Sequence, residues 1–436
     1  MDSSKKLYYL SKEEQKKKRK KIYLEDVELE AFALLAKQRV LSSDQMYKFI
    51  SSRTKLQKST YQTKFFRSFL NKDLVAPIKL HGKFHKKNFY RIGNKSVELL
   101  IEEGYLKKDF LNLRLDRVTN PKYIDHFIAT QEIVVTAFDN SFREGLNIEC
   151  TNNVKDLDLK QTSNGDIANL IPDSVLKVED HFVHIEMDMN SEKLSVIKDK
   201  VKRYIELCNN NPEEQHSIVF SVVDGSFEEG LKIYTEAPVK RIRNIKEALL
   251  SMNGLHQPNL RVYVMPFARS HDLVSQLLKG EKPFQERVPI INIETVADIL
   301  SYANESFGYI FEPIDSKELL PKDTPPYYMP DRCYTVNNKA GTVEHNVMFT
   351  FLEEGCVQCF DKLNFLHHIM GQTKGPVRKI IALYSNPNEL ANDIPGSYKY
   401  VLFGDGETLS ETTEENPTFL RSISPLRRGE TSYEGV

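Results

Sequence analysis

The sequence has few of the features that mark membrane-bound, secreted or nucleotide-dependent proteins. Its 436 residues include no run of about 18 apolar residues, so we expect no membrane-spanning helix. The first residues are rich in lysine and lack an apolar segment, so we expect no secretory signal peptide. Five cysteines are too few for a disulfide framework in a chain of this length, which makes the cytoplasm the expected compartment.

Sequence motifs for nucleotide and zinc binding are also scarce. Neither a Walker motif nor Gly-x-Gly-x-x-Gly occurs, so ATP-driven and dinucleotide-dependent reactions are unsupported. One Cys-x-x-Cys is formed by Cys356 and Cys359, but no second one follows at zinc-ribbon spacing. Cysteine also behaves as a small apolar residue in buried segments, and we favour that interpretation over zinc binding.

The positive charge is concentrated in the first quarter of the chain. Residues 1–110 contain 26 Lys and Arg against 13 Asp and Glu, although the whole chain has a formal net charge of −1. This asymmetry indicates a polyanionic partner for the basic part. Residues 1–22 hold nine of these basic residues and are predicted to be a basic disordered arm. Such an arm either adds attraction to phosphate or is a plain solvated terminus.

Residues 23–110 are predicted to form a winged helix-turn-helix DNA-binding domain. A capping box predicts the start of a short second helix after Ser42. A third helix over 58–72 places three aromatic side chains on one face. Two strands over 75–80 and 88–92 follow, joined by a basic turn. Three helices followed by a basic hairpin is the order of elements in a winged helix.

The basic side chains of this region lie where a winged helix meets double-stranded DNA. Residues 53–91 contain eleven Lys and Arg and one acid, Asp73. We expect the third helix to enter the major groove and the hairpin to contact phosphate. Lysines predominate, which favours phosphate contacts over base reading, and a winged helix used for protein contacts is the alternative. The predicted DNA-binding residues are Lys58, Lys64, Arg67, Lys79, Lys83, Lys86, Lys87 and Arg91.

The rest of the chain alternates strands and helices, which predicts a multidomain protein of mixed α/β and α+β class. Residues 120–268 are expected to form a mixed sheet with flanking helices, and residues 285–405 a further α/β module of unknown role. Residues 406–436 are rich in Glu, Thr, Ser, Gly and Pro and are predicted to be a disordered tail.

Three carboxylates are predicted to converge at one end of a strand pair. Asp173 opens one predicted strand, and Glu186 and Asp188 end the next, where side chains two residues apart face the same side. Converging carboxylates repel one another unless a cation neutralises them, and oxygen ligands suit Mg²⁺ or Mn²⁺. Such a metal polarises a phosphodiester and helps to generate a nucleophilic water. Solvated acids at strand ends are the alternative interpretation.

Residues from two helices are candidates to complete this site. Lys200 and Tyr204 lie along one edge of the helix predicted after the second strand. The ammonium of Lys200 would stabilise charge that develops on a phosphate, although Lys200 could also simply flank the core. The long helix over 122–144 contributes His126 and Glu132, the latter as an additional metal ligand or base.

These motifs resemble the replication-relaxation family of bacterial plasmid proteins. The resemblance covers about residues 25–266 and also extends to the PD-(D/E)XK nuclease fold and to MobC-type conjugative relaxases. The residues that carry it are Pro172-Asp173, Ile185-Glu186-Met187-Asp188, Lys200 with Tyr204, the Asp125–Glu132 helix and Arg241.

The resemblance implies a metal-dependent relaxase or nicking endonuclease that acts at a plasmid origin, with Glu132, Asp173 and Glu186 holding the metal. The nuclease pattern has lysine where this chain has Asp188, and Lys200 is the candidate substitute. If Lys200 does not substitute, the chain is a non-enzymatic origin-binding or replication regulatory protein with a degenerate nuclease-like domain. Accessory mobilisation proteins and a homodimer are the expected protein partners.

Overall fold

The structure is a computed structural model that divides into two compact units. The first unit comprises residues 1–191, 213–237 and 267–279, and the second comprises residues 192–212, 238–266 and 280–436. Both contain helices and strands, so the predicted multidomain α/β class is confirmed. The described residues are 6–9, 21–78, 88–108, 110, 121–151, 171–228, 238–280, 293–300, 309–338, 342–393, 398–410, 417–424 and 427–432.

The helices and strands follow one another along the whole chain. The helices are α1 (Asp26–Gln38), α2 (Ser43–Arg53), α3 (Lys58–Lys64), α4 (Asn94–Glu102), α5 (Pro121–Arg143), α6 (Leu194–Asn210), α7 (Val239–Leu250), α8 (Phe267–Leu278), α9 (Ser316–Leu319), α10 (Val357–Ile369), α11 (Pro387–Asn392) and α12 (Gly406–Ser410). The strands are β1 (Lys6–Tyr9), β2 (Lys21–Leu24), β3 (Leu41–Ser42), β4 (Val75–Pro77), β5 (Phe89–Ile92), β6 (Glu149–Thr151), β7 (Ser174–Val178), β8 (His181–Asp188), β9 (Gln215–Val222), β10 (Leu260–Pro266), β11 (Tyr309–Ile314), β12 (Arg332–Asn338), β13 (Val343–Phe351), β14 (Val377–Tyr384), β15 (Val401–Asp405), β16 (Thr418–Ser424) and β17 (Arg427–Ser432).

The N-terminal helices of the first unit pack around an aromatic core. The helix α3 continues as a π-helical segment, Phe65–Leu70, and the two together are called the third helix below. Its side chains Tyr61, Phe65 and Phe69 are buried, as the sequence spacing predicts. The ring centroid of Phe69 lies 4.9 Å from that of Phe32 in α1. These contacts fix the third helix by its aromatic side and leave its opposite side to solvent.

A small sheet and a capped helix complete this N-terminal region. The strand β5 pairs antiparallel with both β3 and β4. The hydroxyl of Ser42 accepts a hydrogen bond from the backbone of Gln45, and the side chain of Gln45 accepts one from the backbone of Ser42, so the predicted capping box is present. Three helices and two following strands lie in the predicted order. The assignment as a winged helix stays an interpretation, since most of the hairpin turn lies in 79–87, outside the described residues.

The basic arm predicted over residues 1–22 is not wholly irregular. The strand β1 pairs antiparallel with β2, and its Tyr8 side chain is buried. The prediction rested on the high lysine content of the whole segment. It overlooked the short stretch Leu7-Tyr8-Tyr9, whose leucine and tyrosines suit a strand.

A four-strand arrangement within the first unit carries the predicted carboxylates. The strands follow one another in the order β9-β8-β7-β6. The pair β8 and β9 is parallel, while β7 is antiparallel to both β8 and β6. The helices α5 and α8 contact β8, and successive side chains along β8 are buried on both faces. The carboxylates of β8 therefore lie inside the unit.

The second unit contains a sheet whose strands follow in sequence from β11 to β17. The pairs β13–β14 and β14–β15 are parallel, and the remaining pairs are antiparallel. One side chain cluster, including Val296, Phe349 and Phe419, forms a core on this sheet. The strands β16 and β17 lie within residues 406–436, which the sequence predicts to be a disordered tail. That prediction is wrong for β16 and β17. The side chain of Phe419 packs into the core and holds β16 in place, and the average composition of the segment does not reveal such a single apolar residue.

No helix in the described part of the chain is both long enough and apolar enough to cross a membrane.

Candidate nucleic-acid interface and carboxylate cluster

One side of the third helix presents polar and basic side chains to solvent. Because Tyr61, Phe65 and Phe69 occupy the buried side, the residues between them point outward. These exposed residues, called the third-helix surface below, are Lys58, Ser59, Thr60, Gln62, Thr63, Phe66 and Arg67. Hydroxyl, amide, ammonium and guanidinium groups on one helix are the groups that contact phosphate and base edges in DNA complexes.

Two lysines of the third helix have different surroundings. Lys58 forms an ion pair with Asp44 at 2.9 Å, and both side chains are more than half exposed. Lys64 forms an ion pair with Glu28 of α1, whose side chain is only 2% exposed. Burial raises the pKa of Glu28 above its ordinary value, and the charge of Lys64 partly offsets this effect. Lys64 therefore holds the third helix to α1, whereas Lys58 remains accessible to a partner.

The other predicted DNA-binding residues are distributed between the helix and the strands. Arg67 is exposed on the third-helix surface, and Arg91 is half-buried in β5. The lysines predicted for the hairpin lie outside the described residues; they are Lys79, Lys83, Lys86 and Lys87.

Asp173 occupies the position next to β8 that the sequence predicts. Its backbone N–H donates to the carbonyl of Ile185 at 3.1 Å, one residue beyond the Ser174–Ile185 pair. Continuing this register places Asp173 opposite Glu186. The carboxylate Oδ2 accepts a hydrogen bond from the backbone N–H of Met187 at 2.7 Å and lies 3.2 Å from His126 Nε2. Asp173 thus joins α5 to the end of β8.

The remaining polar groups at this end of β8 are buried. Glu186 and Asp188 are 1% and 2% exposed, and both have contacts within the protein. They alternate along the strand with Ile185 and Met187, which are also buried. His184, two residues before Glu186, hydrogen-bonds through Nε2 to His216 Nδ1 of β9 at 3.1 Å. This side of β8 carries a row of buried polar residues.

Glu132 is bound to the N-terminal helices. Its Oε2 accepts a hydrogen bond from Gln45 Nε2 at 3.1 Å, and its Oε1 lies 3.1 Å from Lys48 Nζ. Lys48 also donates to Thr136 Oγ1, one turn further along α5, at 2.7 Å. Gln45 is in turn part of the capping box of α2. The carboxylate of Glu132 therefore anchors α2 to α5.

Lys200, which is predicted to act on a phosphate, lies in the second unit with Tyr204 and Arg241. Lys200 forms an ion pair with Glu192 at 3.1 Å. Tyr204 is fully buried along the apolar side of α6. Arg241 of α7 donates to the backbone carbonyl of Glu192, which joins α7 to the residues that precede α6.

A comparison with protein families gives a match over the region that holds the third helix, Asp173 and Glu186. Residues 32–223 match the family described as replication-relaxation. This part of the chain is similar to the replication-relaxation family. The similarity to the replication-relaxation family that the sequence motifs predict is confirmed over these residues. Searches against curated proteins and against solved structures found no match.

The carboxylates of the replication-relaxation region have partners within the protein. Among the described residues, no group of three or more His, Cys, Asp or Glu side chains is arranged to hold one. Asp173 contacts His126 and the backbone of Met187, while Glu132 contacts two side chains of α2. The Mg²⁺ or Mn²⁺ site predicted from the sequence therefore stays a prediction.

The replication-relaxation region also contains exposed residues that sequence reasoning overlooked. Basic residues guided the prediction, so Ser59, Gln62, Thr63 and Phe66 of the third-helix surface were not included. The signal was present in the sequence, because the aromatic spacing that predicts the buried side also fixes which residues face outward.

Proposed function

We propose that this protein binds duplex DNA through the third-helix surface and acts in plasmid replication or mobilisation. The observation that carries the proposal is the third-helix surface itself, which is polar and cationic on a helix whose other side is fixed in an aromatic core. Cationic side chains that neutralise phosphates release counterions, and this release drives DNA binding. The replication-relaxation description of residues 32–223 supports the biological role.

Charge distribution is a second support for duplex DNA as the partner. Residues 53–91 contain eleven Lys and Arg and a single acid, so the helix and the strands that follow share one sign of charge. An excess of cations over acids in one segment favours a polyanion over a neutral protein surface. Ion pairing with Asp44 leaves Lys58 exposed enough to exchange that partner for a phosphate.

The salt dependence of DNA binding tests the proposal. We would measure the affinity of the full chain for a fluorescent duplex by anisotropy at several salt concentrations. The double variant Lys58→Ala/Arg67→Ala removes two exposed cations, so the slope of log affinity against log salt should fall by about 2. Lys193→Ala/Lys240→Ala removes two exposed cations from the second unit and is the matched control. Equal slopes for the wild type and the third-helix variant would contradict the proposal.

Metal-dependent nicking is the second candidate function. The observation that favours it is the position of Asp173 opposite Glu186, with Asp188 two residues further along β8. The assay incubates the full chain with supercoiled plasmid that carries its own origin, with Mg²⁺ or Mn²⁺. Nicking that Glu186→Gln abolishes, and that Lys58→Ala/Arg67→Ala retains at high protein concentration, would support an enzyme. DNA binding without nicking in either metal would leave the non-enzymatic role.

A further inference from the structure

Phe66 is a large apolar side chain near the C-terminal end of the third-helix surface. It is 53% exposed, whereas Tyr61, Phe65 and Phe69 of the same helix are buried. Its ring meets the ring of Phe65 edge-on, with centroids 5.8 Å apart. A single exposed apolar residue is common on protein surfaces and needs no explanation by itself. Phe66 differs because its neighbours are side chains of the types that recognise DNA bases.

Those neighbours are Gln62 and Arg67. Gln62 lies one helical turn before Phe66 and on the same side of the helix, and Arg67 follows Phe66 directly. Both are exposed. From Phe65 the helix has π-helical geometry, a widening that is frequent at functional sites. An amide, a phenyl ring and a guanidinium thus lie on the solvent-exposed side of one helix.

Each of these three groups matches a feature of the major groove. Arginine donates two hydrogen bonds to guanine O6 and N7, glutamine pairs with adenine N6 and N7, and an apolar side chain contacts the C5-methyl group of thymine. The basic residues around the patch supply the charge that a duplex requires. A protein partner would instead bury the phenyl ring without any dependence on DNA sequence.

We propose that Gln62, Phe66 and Arg67 read base edges in the major groove, with Phe66 against a thymine methyl group. This inference rests on the proposed function and specifies how the third-helix surface engages duplex DNA. It goes beyond the expectation from the sequence, in which the predominance of lysine favours phosphate contacts over base reading. The third helix then makes phosphate contacts through Lys58 near its start and base contacts through Gln62, Phe66 and Arg67 further along.

Removal of one methyl group from the DNA tests the contact of Phe66. Duplexes that the wild-type full chain enriches from a randomised duplex library provide the probe, and each thymine is replaced in turn by uracil. We expect one replacement to weaken wild-type binding by about fourfold, the effect of exposing one methyl group. Phe66→Ala should bind the thymine and uracil duplexes equally. Arg67→Lys keeps the positive charge but loses the paired N–H donors of the guanidinium. It should therefore relax selectivity at one guanine and leave the salt dependence of DNA affinity unchanged.

The control is Ile310→Ala, which removes an exposed apolar side chain of similar exposure in the second unit. It should retain the full uracil penalty. If Phe66→Ala also retains that penalty, the assignment of Phe66 is overturned. Salt-dependent binding with no enriched sequence would overturn base reading and leave the proposed DNA binding intact. Absence of any DNA binding by the wild type would overturn both.

Discussion

The third helix exposes most of its polar residues to solvent, whereas the polar residues at the end of β8 are buried. On the third helix, Gln62 and Arg67 face solvent while aromatic rings fill the core. On β8, Glu186 and Asp188 are buried, and the nearby Asp173 is tied to His126 and to the strand backbone. Buried polar groups are costly unless neighbours satisfy them, whereas exposed groups exchange water for a partner at little cost. The helix is therefore suited to a large external partner, and the strand end to holding the fold together.

The largest expected effect is on stability and comes from Lys64. This lysine differs from the exposed residues of the third helix because it pairs with a buried acid. Lys64→Ala leaves the buried Glu28 carboxylate without its cation. Breaking one partner of a buried ion pair is strongly destabilising, so we expect the free energy of unfolding to fall by about 3 kcal/mol. Urea unfolding followed by circular dichroism measures the change.

Two further variants separate charge from shape at this ion pair. Adding Glu28→Gln to Lys64→Ala removes the uncompensated charge but keeps an acceptor for the backbone N–H of Glu25, so part of the loss should return. Lys58→Ala is the matched control on the same helix and should change stability by less than about 0.5 kcal/mol, because its ion pair is exposed. If the two lysines cost the same, the third helix is not held as the contacts indicate.

The next effect concerns pH and two buried histidines, His184 in β8 and His216 in β9. Burial lowers the pKa of His216 from its ordinary 6.5 to about 4 and lowers the pKa of His184 well below its ordinary value. The unfolded chain then binds protons before the folded chain does. The contribution of these histidines to the free energy of unfolding is constant above about pH 7. It falls as the pH drops from about 6.5 towards 4, by on the order of 3 kcal/mol for His216.

Urea unfolding at pH 7.5, 5.5 and 4.5 checks this dependence. The other titratable neighbours are His181 and Glu214, and Glu214 Oε2 lies 3.4 Å from His216 Nε2. His216→Asn keeps a side chain that hydrogen-bonds but cannot be protonated, so its stability should fall less steeply with acid. A slope as steep as that of the wild type would show that other groups control acid unfolding.

Periodicity in the sequence predicted the third helix well. The spacing of Tyr61, Phe65 and Phe69 fixes one buried side, and local chemistry at Ser42 fixes the start of the preceding helix. These features depend on residues a few positions apart, so the sequence alone contains them. The outward-facing residues follow from the same spacing.

Partners distant in sequence were not predictable in this way. Lys64 pairs with an acid 36 positions earlier, and Glu132 binds Gln45 and Lys48, more than 80 positions earlier. A basic residue on a DNA-binding helix and an acid near a carboxylate cluster each suggest a site. Only the packing of α1 on the third helix and of α2 on α5 shows that these charges already have protein partners.

The smallest expected effect is on the DNA affinity of variants at the end of β8. Asp173→Asn keeps an acceptor for the backbone of Met187, and Glu186→Gln keeps the shape of a buried side chain. Neither residue belongs to the third-helix surface, so both variants keep the exposed cations of that surface. Each variant should therefore bind duplex DNA within about twofold of wild-type affinity. Anisotropy at one fixed salt concentration measures this, with circular dichroism to confirm folding. A folded Asp173→Asn or Glu186→Gln that loses as much affinity as Lys58→Ala/Arg67→Ala would place the strand end in the DNA interface and end the division between the two regions.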